Sequence, residues 1–413
     1  METIMEPSRR VIGIVIVLAG VAAGAAPVAH DPDPYAARRR RMVDEDLARE
    51  GITDPRVLEA MRRVPRHLFV KPEHVHAAYL DQALDIGHGQ TISPPFVVAS
   101  MTQAIDPRPT DRILEIGTGS GYQAAVLAEL GAEVSTVEIV APLGEAAAAT
   151  LGRLGYDRVR VRIGDGSLGW PEHAPFDKII VTCSPERVPQ PLVDQLAEGG
   201  RLIVPLGEQY QQVLHLFEKR DGRLVDTALV PTLFVPMTGA ADAERRAQAD
   251  PRRPAIVNGD FERSTVETGK ADGWHYQRRS RLVEGAAPEG GRFLEFENAE
   301  PGRSAHMLQG MAIDGGSVAA VDVSLRMRLV GAGPGTRPQE AAGLMLHFFG
   351  ARRAYLGSGV LGPWHADVPT WAAVEGRLDV PPEATEAIVQ VGLNGATGTL
   401  SLDDLRLSAV ARD

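Results

Sequence analysis

The sequence predicts a two-part chain, α/β in its first half and all-β in its second. Three observations predict it. From residue 112 to about 235, strand patterns alternate with helix patterns, which implies a largely parallel sheet covered on both faces. The stretch 238–254 has no large apolar residues and reads as a linker. From 255 to 413, short apolar runs are separated by Gly, Pro and Asn turns with no helical period, the signature of an antiparallel sandwich. A chain of 413 residues exceeds one ordinary core, in keeping with two domains.

The elements follow in order. Arg9-Arg10 precede an apolar run from Val11 to Ala26, then small residues and Asp31. This is the layout of a secretory signal, cleavable after Ala26 or Ala29 and short for a membrane span, although it would anchor the chain if left uncut. Residues 1–34 are therefore set apart from the fold. Residues 36–50 and 55–64 predict two short helices, the second opened by Asp54 as N-cap and Pro55 in the first turn. A polar, glycine-dense stretch from Leu84 to Phe96 leads into a helical pattern over 96–105. Ser93 takes the N-cap position there, with Pro94 in the first turn. Strands are predicted at 112–116, 133–138, 158–163, 177–182, 201–205, 212–218 and 224–234, and helices at 120–130, 141–154 and 189–197. In the second part the runs are Phe293–Phe296, Val318–Leu329, Leu344–Phe349, Ala387–Leu393 and Thr399–Leu407.

Composition narrows the function. A net charge of −11 argues against a nucleic-acid partner gripped by its phosphates. The single cysteine, Cys183, excludes an internal disulfide and a cysteine-rich metal site. His74-x-His76 is too sparse for a metal site, so no metal is expected.

The chemistry concentrates in two places. Strand 112–116 runs into Gly117-x-Gly119-x-Gly121, and about twenty residues later a second strand ends in Glu138. Glycines let the backbone turn sharply and approach a ligand, and a strand-tip carboxylate accepts hydrogen bonds from ribose hydroxyls. The loop lacks the spacing of the dinucleotide fingerprint, which seats a pyrophosphate on a helix N-terminus. With Glu115 just before it, the loop suits a phosphate-free adenosine cofactor, S-adenosylmethionine. Asp165-Gly166 after the third strand either accepts from the adenine amino group or serves as a turn pair. The second place is the Ser93 turn. Pro94 and Pro95 remove two amides, leaving the Ser93 hydroxyl, its amide and the Phe96 amide to bind an anion.

Several ordered segments carry a resemblance. They are Gln90-Thr-Ile-Ser93, Ile113-Leu-Glu-Ile-Gly-Thr-Gly-Ser-Gly-Tyr-Gln123, Gly164-Asp-Gly166, Phe176-Asp-Lys-Ile-Ile-Val-Thr182, Leu196-Ala-Glu-Gly-Gly200, Val204-Pro-Leu-Gly207 and Phe234-Val-Pro236. Together, over about residues 36–240, the chain resembles the protein-L-isoaspartate (D-aspartate) O-methyltransferases. The resemblance implies a Rossmann-like methyltransferase domain at 35–237 and a repair enzyme. That enzyme moves a methyl group from S-adenosylmethionine to the free α-carboxylate of isoaspartyl residues in damaged proteins. It implies Ser93 as the active-site serine. Thr91, His88 and Val235 stand as its substrate-side supports. Glu115, Gly117, Thr118, Gly119, Gly121, Glu138, Asp165 and Gly166 stand around the cofactor. Two departures are notable. Cys183 replaces a small residue and is expected to act as a buried small hydrophobe. Asp85 replaces a common proline and adds a negative charge near the anion site. The competing readings are a methyltransferase of another small acid or amine, and a decayed, non-catalytic fold. Intact Gly117, Gly119, Gly121, Glu138 and Ser93 argue against decay.

In the second part (255–413), Asn258-Gly-Asp-Phe261, Gly273-Trp274, Trp364, Trp371 and Leu402-Asp-Asp-Leu405 resemble jelly-roll modules that often bind carbohydrate. A glycan or protein ligand is one expectation, and tryptophans that only fill the sandwich core are the stronger one. The compartment is contested within the sequence. Cofactor supply and the resemblance point to the cytoplasm. The signal-like start points to export into a periplasm, or to a membrane held only through that segment.

Overall fold

The computed structural model describes residues 33–240, 250–264 and 269–412. The signal-like segment up to residue 32 and positions 241–249 of the expected linker lie outside the described residues. The helix expected over 36–50 is an irregular one. An α-helix, α1 (Ala36–Arg41), runs into a π turn and then a 3-10 turn, which Gly51 ends with φ of 110°. Helix α2 (Pro55–Arg63) starts as expected, with the Asp54 side chain accepting from the Arg56 amide. A small hairpin follows, β1 (Leu84–Gly87) and β2 (Gln90–Ile92), closed by His88 and Gly89 with φ of 55° and 74°. Two positive φ angles in a two-residue loop match the twist of a tight hairpin.

Helix α3 (Pro95–Ile105) begins one residue later than expected, with Pro94 as its N-cap. The predicted capping role of Ser93 is thus not realised, because the two prolines push the first helical turn past it. The α/β unit then alternates β3 (Arg112–Ile116), α4 (Tyr122–Glu129), β4 (Glu133–Glu138), α5 (Ala141–Arg153), β5 (Arg160–Ile163), β6 (Phe176–Val181), α6 (Gln190–Gln195), β7 (Leu196–Gly207), β8 (Gln212–Arg220) and β9 (Arg223–Thr232). The seven strands lie in the order β5-β4-β3-β6-β7-β8-β9, parallel from β5 to β7 and antiparallel from there. Strands β3, β4 and β6 are buried nearly throughout, as a sheet covered on both faces requires. Chain order reverses between β3 and β6. Their carboxyl ends therefore splay apart into a crevice, and that is where a ligand belongs.

The second part is a sandwich of nine strands: β10 (Ser280–Glu284), β11 (Arg292–Asn298), β12 (His306–Ala312), β13 (Val318–Gly333), β14 (Ala342–Phe349), β15 (Tyr355–Trp364), β16 (Val368–Asp379), β17 (Glu386–Gly392) and β18 (Thr397–Ala411). A five-stranded sheet, β10-β11-β18-β13-β16, packs on a four-stranded one, β12-β17-β14-β15, and every pairing is antiparallel. Strands β15 and β16 escape the sequence pattern because their residues are mostly exposed and β15 carries three glycines and a proline. The motif residues of this module serve the fold. Trp274 is fully buried and donates its indole N–H to the Asn258 carbonyl at 3.0 Å. Asn258 itself ties Arg263 and Asp272 together. Trp371 packs edge-on against Phe293.

The sandwich is fastened to the methyltransferase unit through Asp81. Its Oδ1 accepts from the Phe96 amide at 2.9 Å, in the first turn of α3. Its Oδ2 pairs with Arg278 at 3.1 Å, both side chains being 10 % exposed or less. The Arg278 guanidinium lies 3.7 Å from the Phe96 ring centroid, and the Tyr276 hydroxyl donates to the Asp81 carbonyl. Glu50 adds a second fastening by pairing with both Arg279 and Arg303. Removing one partner of a buried pair strands the other charge, which costs about 3–5 kcal/mol. Arg278→Ala is expected to lose roughly that much stability in urea unfolding. An unchanged unfolding midpoint contradicts this reading of the interface.

Candidate active site

Strand β3 delivers the chain into Gly117-Thr118-Gly119-Ser120-Gly121 before α4 begins. At Gly117 φ is 95°, and a Cβ there would lie 2.4 Å from the Thr182 hydroxyl oxygen. Only glycine fits, because Thr182 at the end of the neighbouring β6 reaches across. Its Oγ1 lies 2.9 Å from the Ile116 carbonyl and 2.8 Å from that of Gly117. Gly166 forms the opposite lip, where a Cβ would meet Ile116 at 2.5 Å. Gly117, Gly119 and Gly166 line one narrow cleft with Glu138, Ile139, Thr182 and Cys183. Thr118 lines the adjoining pocket with Glu115. Gly121 stands apart from both. It is the N-cap of α4, with φ of 88°, packed against Leu151.

The carboxylates hold this loop. Glu138 is 5 % exposed, and it accepts from the Gly119 amide at 2.8 Å and the Val140 amide at 2.9 Å. A carboxylate offers about four acceptor positions, so each oxygen keeps one for a ligand hydroxyl. Glu115 is fully buried. Its Oε2 accepts from Thr136 at 2.5 Å, while Oε1 has no partner among the described residues. Burial pushes its pKa up to about 8 against the Thr136 bond that lowers it, and nearby Glu138 adds to the rise. A buried acceptor without a donor is costly and points to a missing group. Acceptors at Glu138 and Glu115 around a Cβ-free loop fit a cofactor that carries ribose hydroxyls and an amino group.

Asp165 is engaged elsewhere. Oδ1 accepts from the Ser167 amide and hydroxyl, and Oδ2 from the Ala240 amide at 2.8 Å. These contacts make the expected turn, and Oδ2, which accepts a single bond, keeps an acceptor position, while the neighbouring Gly166 lines the cleft. Cys183 lines that cleft too, and burial raises its pKa to about 12, so it stays an uncharged thiol. The small uncharged side chain expected is thus present, but half-buried at the cleft rather than fully buried.

Ser93 follows β2 and is half-buried, and no hydrogen bond to its hydroxyl occurs among the described residues. Its carbonyl accepts from Arg66 at 2.7 Å. Arg66 is wholly buried, stacks 4.7 Å from the Tyr122 ring centroid and also donates to Ala78. It thereby couples the serine turn to the start of α4. The Phe96 amide, expected to help bind an anion, is occupied by Asp81. The anion-binding burden therefore falls on the Ser93 hydroxyl. Thr91, Ser93, Thr182 and Val235 border one large cavity, and Thr91, Thr182 and Val235 also border the cofactor-side cleft. His88 is not brought in. It is exposed at the hairpin tip and borders none of these pockets, because the tight turn aims it outward. Asp85 is neutralised by Lys71, and with the Gly87 amide this outweighs the burial that would raise its pKa, holding it low.

Sequence reasoning passed over Thr182, Asp81 and Arg66. Thr182 had a usable signal, since it ends the strand next to the glycine loop at the switch point. Asp81 and Arg66 act across 15 and 27 residues of chain, and no local pattern announces them.

The model of the family described as protein-L-isoaspartate(D-aspartate) O-methyltransferase matches residues 37–242. A protein-L-isoaspartate O-methyltransferase of Gloeobacter violaceus is 57 % identical over 198 residues, 48 % of this chain and 97 % of that one. One from Opitutus terrae is 56 % identical over 201 residues, 48 % of this chain and 86 % of that one. Among solved structures, a Plasmodium falciparum protein described as such a methyltransferase, in complex with S-adenosyl-L-homocysteine, aligns at 29 % identity. Its TM-score is 0.44, and the match covers 48 % of this chain and 98 % of that one.

The Glu115 carboxyl yields a pH signature. Unfolded, it loses its proton near the ordinary value of 4.5; folded, near 8. Between those values the unfolded state binds fewer protons, so rising pH withdraws stability. Glu115→Gln lacks this loss. Its stability relative to the parent chain is expected to rise from about pH 5 to about pH 8 in urea titrations. A constant difference across that window contradicts the assignment.

Proposed function

Because the chain belongs to the protein-L-isoaspartate(D-aspartate) O-methyltransferase family, we propose that the Ser93 turn binds the acceptor carboxylate while Glu138 and Glu115 hold the methyl donor. The chain is a protein repair methyltransferase. It transfers a methyl group from S-adenosylmethionine to the free α-carboxylate of L-isoaspartyl and D-aspartyl residues in damaged proteins. The assignment of residues is supported by one observation above the others: Ser93, Thr91, Thr182 and Val235 border a single cavity that meets the glycine-loop cleft at Thr91, Thr182 and Val235.

An α-carboxyl has a pKa of about 3.5, so the acceptor is already ionised at neutral pH and no general base is required. S-adenosylmethionine, when bound, supplies a methyl group on a positively charged sulfur. The protein's share is alignment and exclusion of water. The Ser93 hydroxyl donates to one carboxylate oxygen, and Arg66 holds the serine backbone in place. Glu138 would receive the ribose hydroxyls of the bound donor, and Oε1 of Glu115 would receive its amino group. Gly117 and Gly166 let the donor sit against the backbone. Opposite charges disappear as the methyl moves, so a site shielded from water favours the transfer over solution. Thr91 and Thr182, at the junction of the two pockets, shape the path between donor and acceptor.

The supply of S-adenosylmethionine, made in the cytoplasm, supports catalysis there. Recovery of the active protein from an exported fraction, shortened after Ala26 or Ala29, would reverse that placement in favour of the signal-like start.

A hydrogen bond to a charged group contributes about 1.5–3 kcal/mol. Ser93→Ala is expected to lower kcat/KM for an isoaspartyl peptide roughly 10- to 100-fold, with no transfer to its ordinary aspartyl twin. Equal labelling of both peptides overturns the repair reading. Undiminished activity of the variant overturns the role of Ser93.

A further inference from the structure

The cavity that holds Ser93 measures about 960 Å³, and the methyltransferase unit builds only part of its wall. The rest comes from the sandwich, as one face of its four-stranded sheet and the loops around residues 302–304, 336–340 and 394–395. Strand alternation places that face. On β17, Ala387, Val389 and Val391 enter the sandwich core, so Ile388 and Gln390 turn the other way. In register beside Gln390 stand Leu308 on β12 and Met345 on β14. Leu308, Met345, Ile388 and Gln390 all border the cavity that holds Ser93.

The sandwich side of the wall is largely polar, and Leu308, Met345 and Ile388 form an apolar patch within it. Its arginines are neutralised in place: Arg353 by Glu386 at 2.9 Å, Arg337 by Glu340 at 2.7 Å and Arg303 by Glu50 at 2.8 Å. The tryptophans suggested by the carbohydrate-module resemblance do not border it. The wall is also fixed relative to the serine, because Arg278 and Tyr276 fasten the module to Asp81, the residue that caps α3. The cavity falls within the roughly 300–1,000 Å³ that envelops a drug-sized ligand, more than one isoaspartyl side chain occupies.

We propose that the apolar patch of Leu308, Met345 and Ile388, on the outward face of the sandwich's four-stranded sheet, is a subsite for an apolar side chain flanking the isoaspartate. The module is thus a specificity determinant of the repair reaction. This rests on Ser93 marking the acceptor site. An acceptor carboxylate at Ser93 leaves the neighbouring peptide residues in the same cavity, opposite Leu308, Met345 and Ile388. Burying a leucine-sized side chain there removes it from water, which favours such peptides over those with small or charged neighbours.

The test uses the full-length protein and two short isoaspartyl peptides, one flanked by leucines and one by glycines, with kcat and KM resolved. The leucine-flanked peptide is expected to show a KM lower by about tenfold or more. Combining Ile388→Ala with Met345→Ala is expected to bring the KM ratio of the two peptides close to one. Val330→Ala, exposed on the five-stranded sheet and outside the cavity lining, keeps both the activity and the ratio. Melting temperature and calorimetric binding of S-adenosylmethionine are followed for each variant. Equal KM values for the two peptides in the parent chain overturn the proposal even if the double variant fails to fold. A preference that survives the double variant overturns it as well. Absence of methyl transfer to either peptide in the parent chain rejects the underlying assignment of the reaction instead.

Discussion

Two prolines ahead of α3 leave that helix with its first free amide at Phe96, and Asp81 meets it. An exposed helix end is ordinarily capped by its own chain or by water. Here the cap comes from a carboxylate that is itself buried and paired with an arginine of another domain. The same carboxylate thus secures the turn that presents Ser93 and seats the sandwich above it. The pair is held by a backbone amide and a guanidinium at Asp81 and by two aromatic rings at Arg278, whose buried Nε has no hydrogen-bond partner among the described residues.

The donor side rests on a different principle. The parallel sheet reverses chain order between β3 and β6, which opens a crevice at their carboxyl ends. The crevice is made narrow by a threonine on one strand and a glycine on the next. Thr182 occupies the space that a side chain at position 117 would need, so loop and threonine define each other. Glu138 then ties the loop to the tip of β4 through the Gly119 amide. Glu115 sits beneath with one oxygen that has no hydrogen-bond partner among the described residues.

The acceptor side is shared between domains. A sheet in a sandwich has one face in the core and one outside. In this chain the outside face of the smaller sheet turns toward the methyltransferase cleft and lines it. The two domains are therefore parts of one site. The sandwich tryptophans suggest a separate binding module, yet Trp274 is wholly buried in the core.

How much of this was legible follows from the range of each interaction. Strands 112–116 and 133–138 and helix 141–153 were readable to within a residue because buried parallel strands and amphipathic helices repeat over short windows. The glycine loop and Glu138 announced a nucleoside site because their spacing is local. Exposed strands β15 and β16 lacked an apolar signal and passed unseen. The N-cap at Ser93 was misplaced by one residue, and His88 was drawn into the site by proximity in sequence alone. Asp165 was legible as two alternatives, and its contacts with Ser167 and Ala240 make the turn without occupying every acceptor position of the carboxylate. By itself, then, the sequence determined the two fold classes, the cofactor loop and the serine turn, all of which are written in neighbouring residues. Only the tertiary structure decided that Asp81 takes the Phe96 amide, that Arg66 holds Ser93 and that the sandwich walls the cleft. Each of those depends on groups far apart in the chain and close in space, and no local pattern encodes such a meeting.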